Sequence, residues 1–335
     1  SEQVLPDCSV GYMLAAHGYQ PILLERGADV DQRTKDVEAF WENGQLNLSS
    51  NVQFGEGGAG TFSDGKLNTL VKDKFGRNHE VLRIFAEHGA PESITYESKP
   101  HIGTDVLSAV VKEMRKYICA HGGEVRFHSQ VTDIQTHSDN GQKILRKLKI
   151  YDSQKKETYL LDTDLAVFAI GHSARDTFSM LYHHGLPMQP KAFAVGVRIE
   201  HPQEMINQDQ YGKNYPSFLP AAPYKLTANL DNGRGVYTFC MCPGGYVVNA
   251  SSEEHRLAVN GMSYSRRDSQ NANTAVIVTV SPDDFEVIIR SLVSNSRESL
   301  KKRHISRETA KFRYSYLGIS VKTDLPCSWV ESLRI

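Results

Sequence analysis

The stretch of sequence most suggestive of chemistry is the glycine-rich run 54–66, FGEGGAGTFSDGK. It contains five glycines together with Thr61, Ser63 and Lys66. Glycine allows backbone amides to approach an anion closely and to adopt positive φ, while hydroxyl and ammonium groups add donors for a phosphate or a polar ring edge. Gly/Ser linkers usually lack apolar anchors such as the two phenylalanines in this run. We therefore interpret it as a ligand-binding loop, with a flexible surface linker as the alternative.

A second candidate is Glu25, which follows the short apolar run 21–24. In a nucleotide-binding βαβ unit, an acidic residue at the end of the second strand binds the ribose hydroxyls. The alternative is an ordinary charged strand end. Such a unit also begins with a strand and a Gly-x-Gly-x-x-Gly turn about 20 residues earlier, but residues 4–9 contain no glycine. We expect a truncated or altered version of a longer protein, with an unpaired edge in the middle of its sheet.

Four residues are candidates for catalysis, each with a structural alternative. His172 could place charge in a ligand crevice, or it could cap the helix that follows. Arg198 could hold an anionic substrate, or it could pair with Glu200. Cys240 and Cys242 could relay electrons as a dithiol, but in a regular strand both thiols share one face and are poorly placed for a relaxed disulfide. Small buried thiols in a core or pocket are the alternative.

The elements that position these residues follow from hydrophobic periodicity. A helix ends near Gly18, and a second helix begins near Gly103, with apolar residues at the 3.6-residue period. Runs 147–151 and 158–161 predict an antiparallel hairpin, and run 164–170 predicts a buried parallel strand that ends at Gly171. After Lys191 the pattern predicts a mainly antiparallel region, with strands over 193–199, 235–240, 246–250 and 275–280.

Composition limits the class of protein. The chain has 335 residues, 40% of them hydrophobic, and a net charge of -1, which gives no reason to expect binding to nucleic acid or to a membrane. Its five cysteines are sparse and odd in number, which favours a reducing compartment and a cytoplasmic location. There is no second cysteine pair at metal spacing and the histidines are scattered, so we expect no metal site.

Several longer strings resemble one family, the FAD-dependent dehydrogenase-like proteins, also called NAD(FAD)-utilizing dehydrogenases, which are related to the flavoproteins with two dinucleotide-binding domains. The resemblance covers about residues 11–280. The matching strings are PILLERG at 21–27, VQFGEGGAGTFSDGKL at 52–67, KPHIGTDVL at 99–107, AIGHSARDTF at 169–178, FAVGVRIEHPQ at 193–203, GRGVYTFCMCPGGYVVNASSEE at 233–254 and NGMSYSRRDSQNAN at 260–273.

The resemblance implies an α/β fold in which a split Rossmann-like FAD/NAD(P)-binding domain carries an inserted β-rich (α+β) substrate domain. We place these domains at 1–190 and 191–280, followed by a weakly matched segment, 281–335. The implied residues at the FAD site are Glu25, Arg26, Gly55, Glu56, Gly57, Gly58, Ala59, Gly60, Thr61, Ser63, Lys66, Val131 and Gly171. The first glycine turn and the glycine-rich closing segment of such flavoproteins have no counterpart here.

The implied function is FAD-dependent oxidation or reduction of an unidentified small molecule, with NAD(P)H as a possible electron donor. The alternatives are a truncated, non-catalytic relative and a nucleotide-binding module without redox turnover. A flavin carries the electron chemistry itself, so the protein mainly binds, orients and tunes it.

Overall fold

The computed structural model describes residues 6–67, 73–140, 142–281, 284, 313–315 and 318–322. Within these residues the α-helices are α1 (Pro6–Ala16), α2 (Val30–Asn43), α3 (Arg77–Glu87), α4 (Gly103–Ala120), α5 (Arg175–His183) and α6 (Gln203–Tyr211). The strands are β1 (Ile22–Leu24), β2 (Glu124–Arg126), β3 (Ser129–Asp139), β4 (Gln142–Asp152), β5 (Glu157–Asp162), β6 (Phe193–Pro202), β7 (Thr227–Asn229), β8 (Gly235–Cys242), β9 (Gly245–Asn249), β10 (Val259–Ser263), β11 (Asn271–Val280), β12 (Arg313–Ser315) and β13 (Gly318–Lys322). The fold is therefore mixed α/β.

The first part of the chain is built around α4. Its predicted apolar stripe is buried, with Leu107, Val111 and Ile118 fully inaccessible to solvent. Tyr12 and Ala15 of α1 belong to the same hydrophobic core. Beside this helix pair, β1 runs parallel to β2. The helix predicted to end near Gly18 and the helix predicted to begin near Gly103 are confirmed as α1 and α4.

A three-stranded antiparallel sheet, β3-β4-β5, follows in sequence. The predicted hairpin is confirmed, because β4 and β5 pair along their length from Lys147 to Asp152. Ile134 and Ile150 of this sheet pack against Leu181 of α5. This packing holds α5, and the turn that precedes it, close to the end of β1.

The predicted buried strand over 164–170 is wrong. These residues form no regular secondary structure, and Leu165 and Val167 remain 81% and 63% exposed. A buried parallel strand needs neighbours that satisfy its backbone groups. Within the described residues, β1 is hydrogen-bonded only to β2, and nothing pairs with the segment 164–170. The split Rossmann-like arrangement therefore stays a prediction.

The second part of the chain centres on a six-stranded sheet in the order β12-β13-β6-β11-β8-β7. β11 pairs antiparallel with β6 and with β8, whereas β13 joins β6 in parallel. The four strands predicted after Lys191 are confirmed as β6, β8, β9 and β11. A separate antiparallel pair, β9 and β10, adds a further layer.

The two parts share a hydrophobic core. Val37, Val52 and Phe62 pack with Val248 and Met262 in one cluster. The domain boundary at 190 and 191 stays a prediction, and most of the segment 281–335 lies outside the described residues. Among the helices that the structure describes, none combines the length and the apolar composition needed to cross a bilayer.

Candidate functional site

The site is a cavity of about 900 Å³ at the carboxyl end of β1. It is lined by residues 25–26, 56–59, Val131 and 171–172. All of these except His172, a catalytic candidate, are among the residues implied to bind FAD. The six-stranded sheet closes one side through Tyr237 and Phe239 of β8. The structure thus brings together residues that lie far apart in the sequence, from Glu25 to Phe239.

Glu25 connects β1 to the glycine-rich loop. Its Oε1 accepts a hydrogen bond from the amide of Gly27 at 2.8 Å and another from the amide of Gly55 at 3.0 Å. Gly55 has a φ of 119°, and a Cβ there would lie 2.4 Å from Cδ of Arg33, so a side chain cannot be accommodated. The carboxylate therefore fixes the loop against the end of the strand, and its role at a ribose stays a prediction.

Arg33, which is fully buried, stabilises the loop. Its guanidinium donates to the carbonyl oxygens of Asn51, Val52 and Glu56 and to Oγ1 of Thr61. Four hydrogen bonds from one cation to neutral acceptors give the loop a defined shape rather than that of a linker. This arrangement presents Gly57, Gly58 and Ala59 to the cavity.

The predicted phosphate donors of the loop are placed elsewhere. Thr61 is buried and donates to the carbonyl of Gly58 at 3.0 Å, and Ser63 donates to that of Gly60 at 2.8 Å. Lys66 pairs with Asp64 at 2.5 Å and also donates to the carbonyl of Met241. None of Thr61, Ser63, Lys66 and Gly60 is among the residues that line the cavity. Their assignment to the cofactor stays an untested prediction.

A cation that sequence reasoning missed lies on the cavity wall. Nε of Arg115 is 2.8 Å from Oε1 of Glu56, whose Oε2 accepts from the amide of Val30 at 2.8 Å. Burial raises the pKa of Glu56 above its ordinary value, although the amide of Val30 and Arg115 oppose that shift. The sequence could have indicated this residue. Arg115 lies four residues after Val111 in the apolar stripe of α4, where a charged side chain is unfavourable unless it is paired.

The opposite wall is formed by the turn before α5. Gly171 has a φ of 64° and open space around it, and His172 follows it on the cavity wall. Nη2 of Arg26 pairs with Oδ1 of Asp176 at 2.8 Å, and its guanidinium lies 4.4 Å from the centroid of the Phe54 ring. These contacts join the end of β1, the glycine-rich loop and α5 into one rim.

The remaining end of the cavity is apolar. It is lined by Leu23 and Leu24 of β1, Val125 of β2 and the segment 165–170. One edge of β1 and the whole of that segment have no strand partner in the described part of the chain. The cavity therefore has a polar end at Glu25 and an apolar end with unpaired backbone.

The other sequence candidates lie in a separate cluster. Arg198, Cys240 and Cys242 do not line the cavity and lie with Lys66 beside the end of β8. The alternative pairing of Arg198 with Glu200 is wrong, because Arg198 donates to Oδ1 of Asn273 at 2.6 Å. The carboxylate of Glu200 instead accepts from the amide of Val247 and from the side chain of Asn271. The candidates thus divide between two sites.

The described residues contain no group of three or more His, Cys, Asp and Glu side chains with the arrangement of a metal site. The expectation that the protein needs no metal stays a prediction.

Part of the chain matches a known protein family. Residues 192–311 match the family described as FAD-dependent protein, C-terminal domain-like. The matched range contains the strands from β6 to β11. The narrower dehydrogenase-like family is not established by this match.

A close relative is an uncharacterized protein of Clostridium beijerinckii, which is 55% identical over 276 residues. The aligned part is 82% of this chain and 49% of the relative. The chain therefore spans about half the length of this curated relative.

Among solved structures, the glycerol-3-phosphate dehydrogenase from Bacillus halodurans complexed with FAD is 11% identical, with a TM-score of 0.38 over 98% of this chain and 62% of the enzyme. The flavin-dependent monooxygenase PieE, solved with FAD and substrate, is 13% identical, with a TM-score of 0.41 over 88% of this chain and 44% of the monooxygenase. Similarity at this level does not establish a common fold.

Proposed function

We propose that the chain is part of an FAD-dependent oxidoreductase and that the cavity at the end of β1 receives FAD, with the adenosine end near Glu25. The observation that carries this proposal is the convergence of residues 25–26, 56–59, 131 and 171 on one cavity. Its volume of about 900 Å³ lies in the range of cofactor sites, roughly 300–1,000 Å³. The family match of residues 192–311 supports the same cofactor.

The chemistry of the wall fits this group. Glu25 supplies a carboxylate at a strand end, where ribose hydroxyls could donate to it. Gly57 and Gly171 bring backbone without side chains to the wall, which suits the close approach of a phosphate or a ring. Arg26 and Arg115 supply two cations. Each already pairs with a carboxylate, so each would be shared with a bound anion.

Bound FAD would supply the two-electron chemistry. The residues of this chain would bind and orient it and exclude water. Phe193, Tyr237 and Phe239 form an apolar wall opposite the polar end, which suits a planar ring better than a phosphate. We further propose a small-molecule substrate and NAD(P)H as electron donor. A cytoplasmic location is supported by Cys8, Cys119, Cys240 and Cys242, none of which is in a disulfide.

One observation favours a second candidate, a nucleotide-binding module without redox turnover. Thr61, Ser63 and Lys66, the donors expected to hold the pyrophosphate, are bonded within the protein. A cavity that lacks these donors could hold the adenosine part of a nucleotide while leaving the flavin loosely held. That candidate binds ADP about as tightly as FAD.

The test is a titration of the purified chain with FAD, followed by flavin fluorescence and visible absorbance, for the wild-type protein and for Ala59→Leu. Ala59 lines the cavity, so the larger side chain should weaken binding by about tenfold or more through steric overlap. The matched control is Ala120→Leu at the exposed end of α4. Equal affinity of both variants, or no binding by the wild-type chain, would contradict the proposal.

ADP competition separates the two candidates. If FAD binds much more tightly than ADP and the bound flavin is reduced by NAD(P)H, the oxidoreductase is supported. Equal affinities, with no reduction of the bound flavin, would favour the nucleotide-binding module instead.

A further inference from the structure

A second polar cluster lies outside the cavity, where the loop 63–66 meets the end of β8. Two residues of β8, Cys240 and Met241, stand opposite one residue of β11, since the pairing shifts from Ala275–Phe239 to Asn273–Cys242. This is a β-bulge. The expected regular alternation of the two cysteines is therefore wrong, because the bulge interrupts the strand between Phe239 and Cys242.

The bulge holds Cys240 in a conformation that side chains seldom adopt. Its φ is 49°, in the left-handed region that is unfavourable for residues other than glycine, asparagine and aspartate. Such residues persist where surrounding contacts enforce them, and they concentrate at functional sites. Cys240 is partly exposed, whereas Cys242 is fully buried and its Sγ donates to the carbonyl of Cys240 at 3.2 Å.

A buried cation without a carboxylate lies next to these thiols. Arg198 has no exposed surface, and its Nη1 donates to Oδ1 of Asn273 at 2.6 Å and to the carbonyl of Cys240 at 3.3 Å. Its Nε and Nη2 have no hydrogen-bond partner among the described residues. A Cβ at Gly261 would lie 2.2 Å from Nη1 of Arg198 and 2.8 Å from Sγ of Cys242. The chain thus leaves out a side chain where guanidinium and thiol meet.

The nearby carboxylate, Asp64, already forms ion pairs with two other cations. Asp64 is buried and pairs with Lys66 at 2.5 Å and with Arg267 at 2.6 Å. Burial alone would raise its pKa, but Lys66, Arg267 and His101 together hold it below the ordinary value. One carboxylate therefore serves two cations, and the buried charge of Arg198 lacks an anion in the described structure, an arrangement that burial makes unfavourable.

We propose that Cys240 is a nucleophilic thiolate that takes part in thiol–disulfide exchange with small disulfides, and that Cys242, Arg198 and Lys66 are the residues that position and stabilise it. The thiolate sulfur of Cys240 attacks one sulfur of a disulfide RSSR. A bond forms between the two sulfurs, the S–S bond of RSSR breaks, and RS⁻ leaves with the electron pair. One protein thiolate and one small disulfide give a mixed disulfide and one thiolate.

The electrostatics agree with this geometry. Interaction with the Cys242 side chain and the charges of Lys66 and Arg198 bring the pKa of Cys240 well below that of an ordinary thiol, whereas burial and Asp64 oppose the shift. Interaction with the Cys240 side chain, together with burial, raises the pKa of Cys242. A lowered pKa increases the thiolate fraction at neutral pH, and the thiolate is the reactive form. The proposed step requires no flavin, so it stands apart from the proposed function.

The test is the pH dependence of labelling by 4,4′-dipyridyl disulfide, a small neutral disulfide, with each cysteine quantified by peptide mass spectrometry. Cys119 is exposed and serves as the internal comparison. The pH at which Cys240 is labelled at half its maximal rate should lie at least about one unit below the corresponding pH for Cys119. A profile equal to that of Cys119 would overturn the proposal, as would labelling of Cys240 in denaturant alone.

Two variants separate a positioned thiolate from a merely accessible one. Lys66→Gln and Cys242→Ala should each move the labelling profile of Cys240 toward higher pH without moving that of Cys119. Lys112→Gln is the matched control, because Lys112 lies on α4 and pairs with Asp31. If neither Lys66→Gln nor Cys242→Ala shifts the profile of Cys240, the proposed stabilisation is wrong.

Discussion

The strand β11 and the segment 164–170 have similar apolar sequences but different structures. β11 is hydrogen-bonded on both sides, by β6 and by β8. The segment 164–170 has no strand partner in the described structure, and two of its apolar side chains are largely exposed. Because a buried backbone needs hydrogen-bond partners, the neighbours rather than the local sequence decide which run becomes a strand. The same difference leaves the cavity open at its apolar end.

The largest expected effect is on backbone hydrogen exchange. Amides of 165–170 should exchange at least about a thousandfold faster than those of 274–279 in β11, because the former lack strand hydrogen bonds and the latter open only with much of the sheet. Peptide-resolved hydrogen–deuterium exchange of the ligand-free chain measures this difference. Comparable protection in both segments would mean that 164–170 is paired in solution and would remove the comparison.

These two regions also show how far sequence reasoning reaches. The hairpin of β4 and β5 and the apolar stripe of α4 were predictable, because each satisfies its pairing or packing near in sequence or with a regular period. The strands after Lys191 were predicted from their composition alone, although β6 pairs with β11, far along the chain. The irregular state of 164–170 was not predictable, because it depends on whether another strand pairs with this segment, and no described strand does. A local apolar run carries no information about that neighbour.

The sequence predicted which residues form the candidate site better than it predicted the contacts that these residues make. The sequence indicated Glu25 and the loop 55–66, and the structure brings Glu25 and residues 56–59 of that loop to one cavity. It could not indicate that Thr61 would be bonded by Arg33, because that contact depends on how α2 packs under the loop. Nor could it indicate the bulge at Cys240, which is set by pairing with β11.

The next effect compares two leucines, one in a packed helix and one in the segment 164–170. Leu107 is fully buried in α4, whereas Leu165 is 81% exposed. Leu107→Ala should lower the free energy of unfolding by about 2–5 kcal/mol through lost burial and a cavity, and Leu165→Ala by less than about 0.5 kcal/mol. Urea unfolding followed by circular dichroism measures both. A large cost at Leu165 would show that the segment is buried in solution.

A smaller effect is expected on the pH dependence of stability, and it concerns His101, which lies beside Asp64 and Arg267. Burial, followed by the charge of Arg267, lowers the pKa of His101 to about 4. The unfolded chain binds this proton at higher pH than the folded chain, so the stability contributed at neutral pH is lost as pH falls from about 6.5 toward 4.

His101→Gln should therefore reduce the loss of stability between pH 7 and pH 4.5, measured as the change in urea midpoint. His79→Gln, at an exposed position of α3, is the control and should behave as the wild-type protein does. An unchanged pH dependence in His101→Gln would contradict the assignment of a neutral, buried imidazole.

The smallest effect is expected at the rim of the cavity. Arg26 and Asp176 pair at 2.8 Å, but the Asp176 side chain is 47% exposed, and exposed pairs contribute little. A double-mutant cycle with Arg26→Met and Asp176→Asn should give a coupling free energy below about 1 kcal/mol. A coupling several times larger would mean that this pair, rather than packing, holds α5 against β1.

The central claim is that the cavity at the end of β1 is a dinucleotide site, and the most direct test is to map protection from hydrogen exchange when FAD is added to the purified chain. We predict slower exchange in 55–59, at the start of β3 around Val131, and in 171–174, with little change in β9 and β10. Bound FAD that leaves these three segments unprotected, or protects the strands β9 and β10 instead, would contradict it.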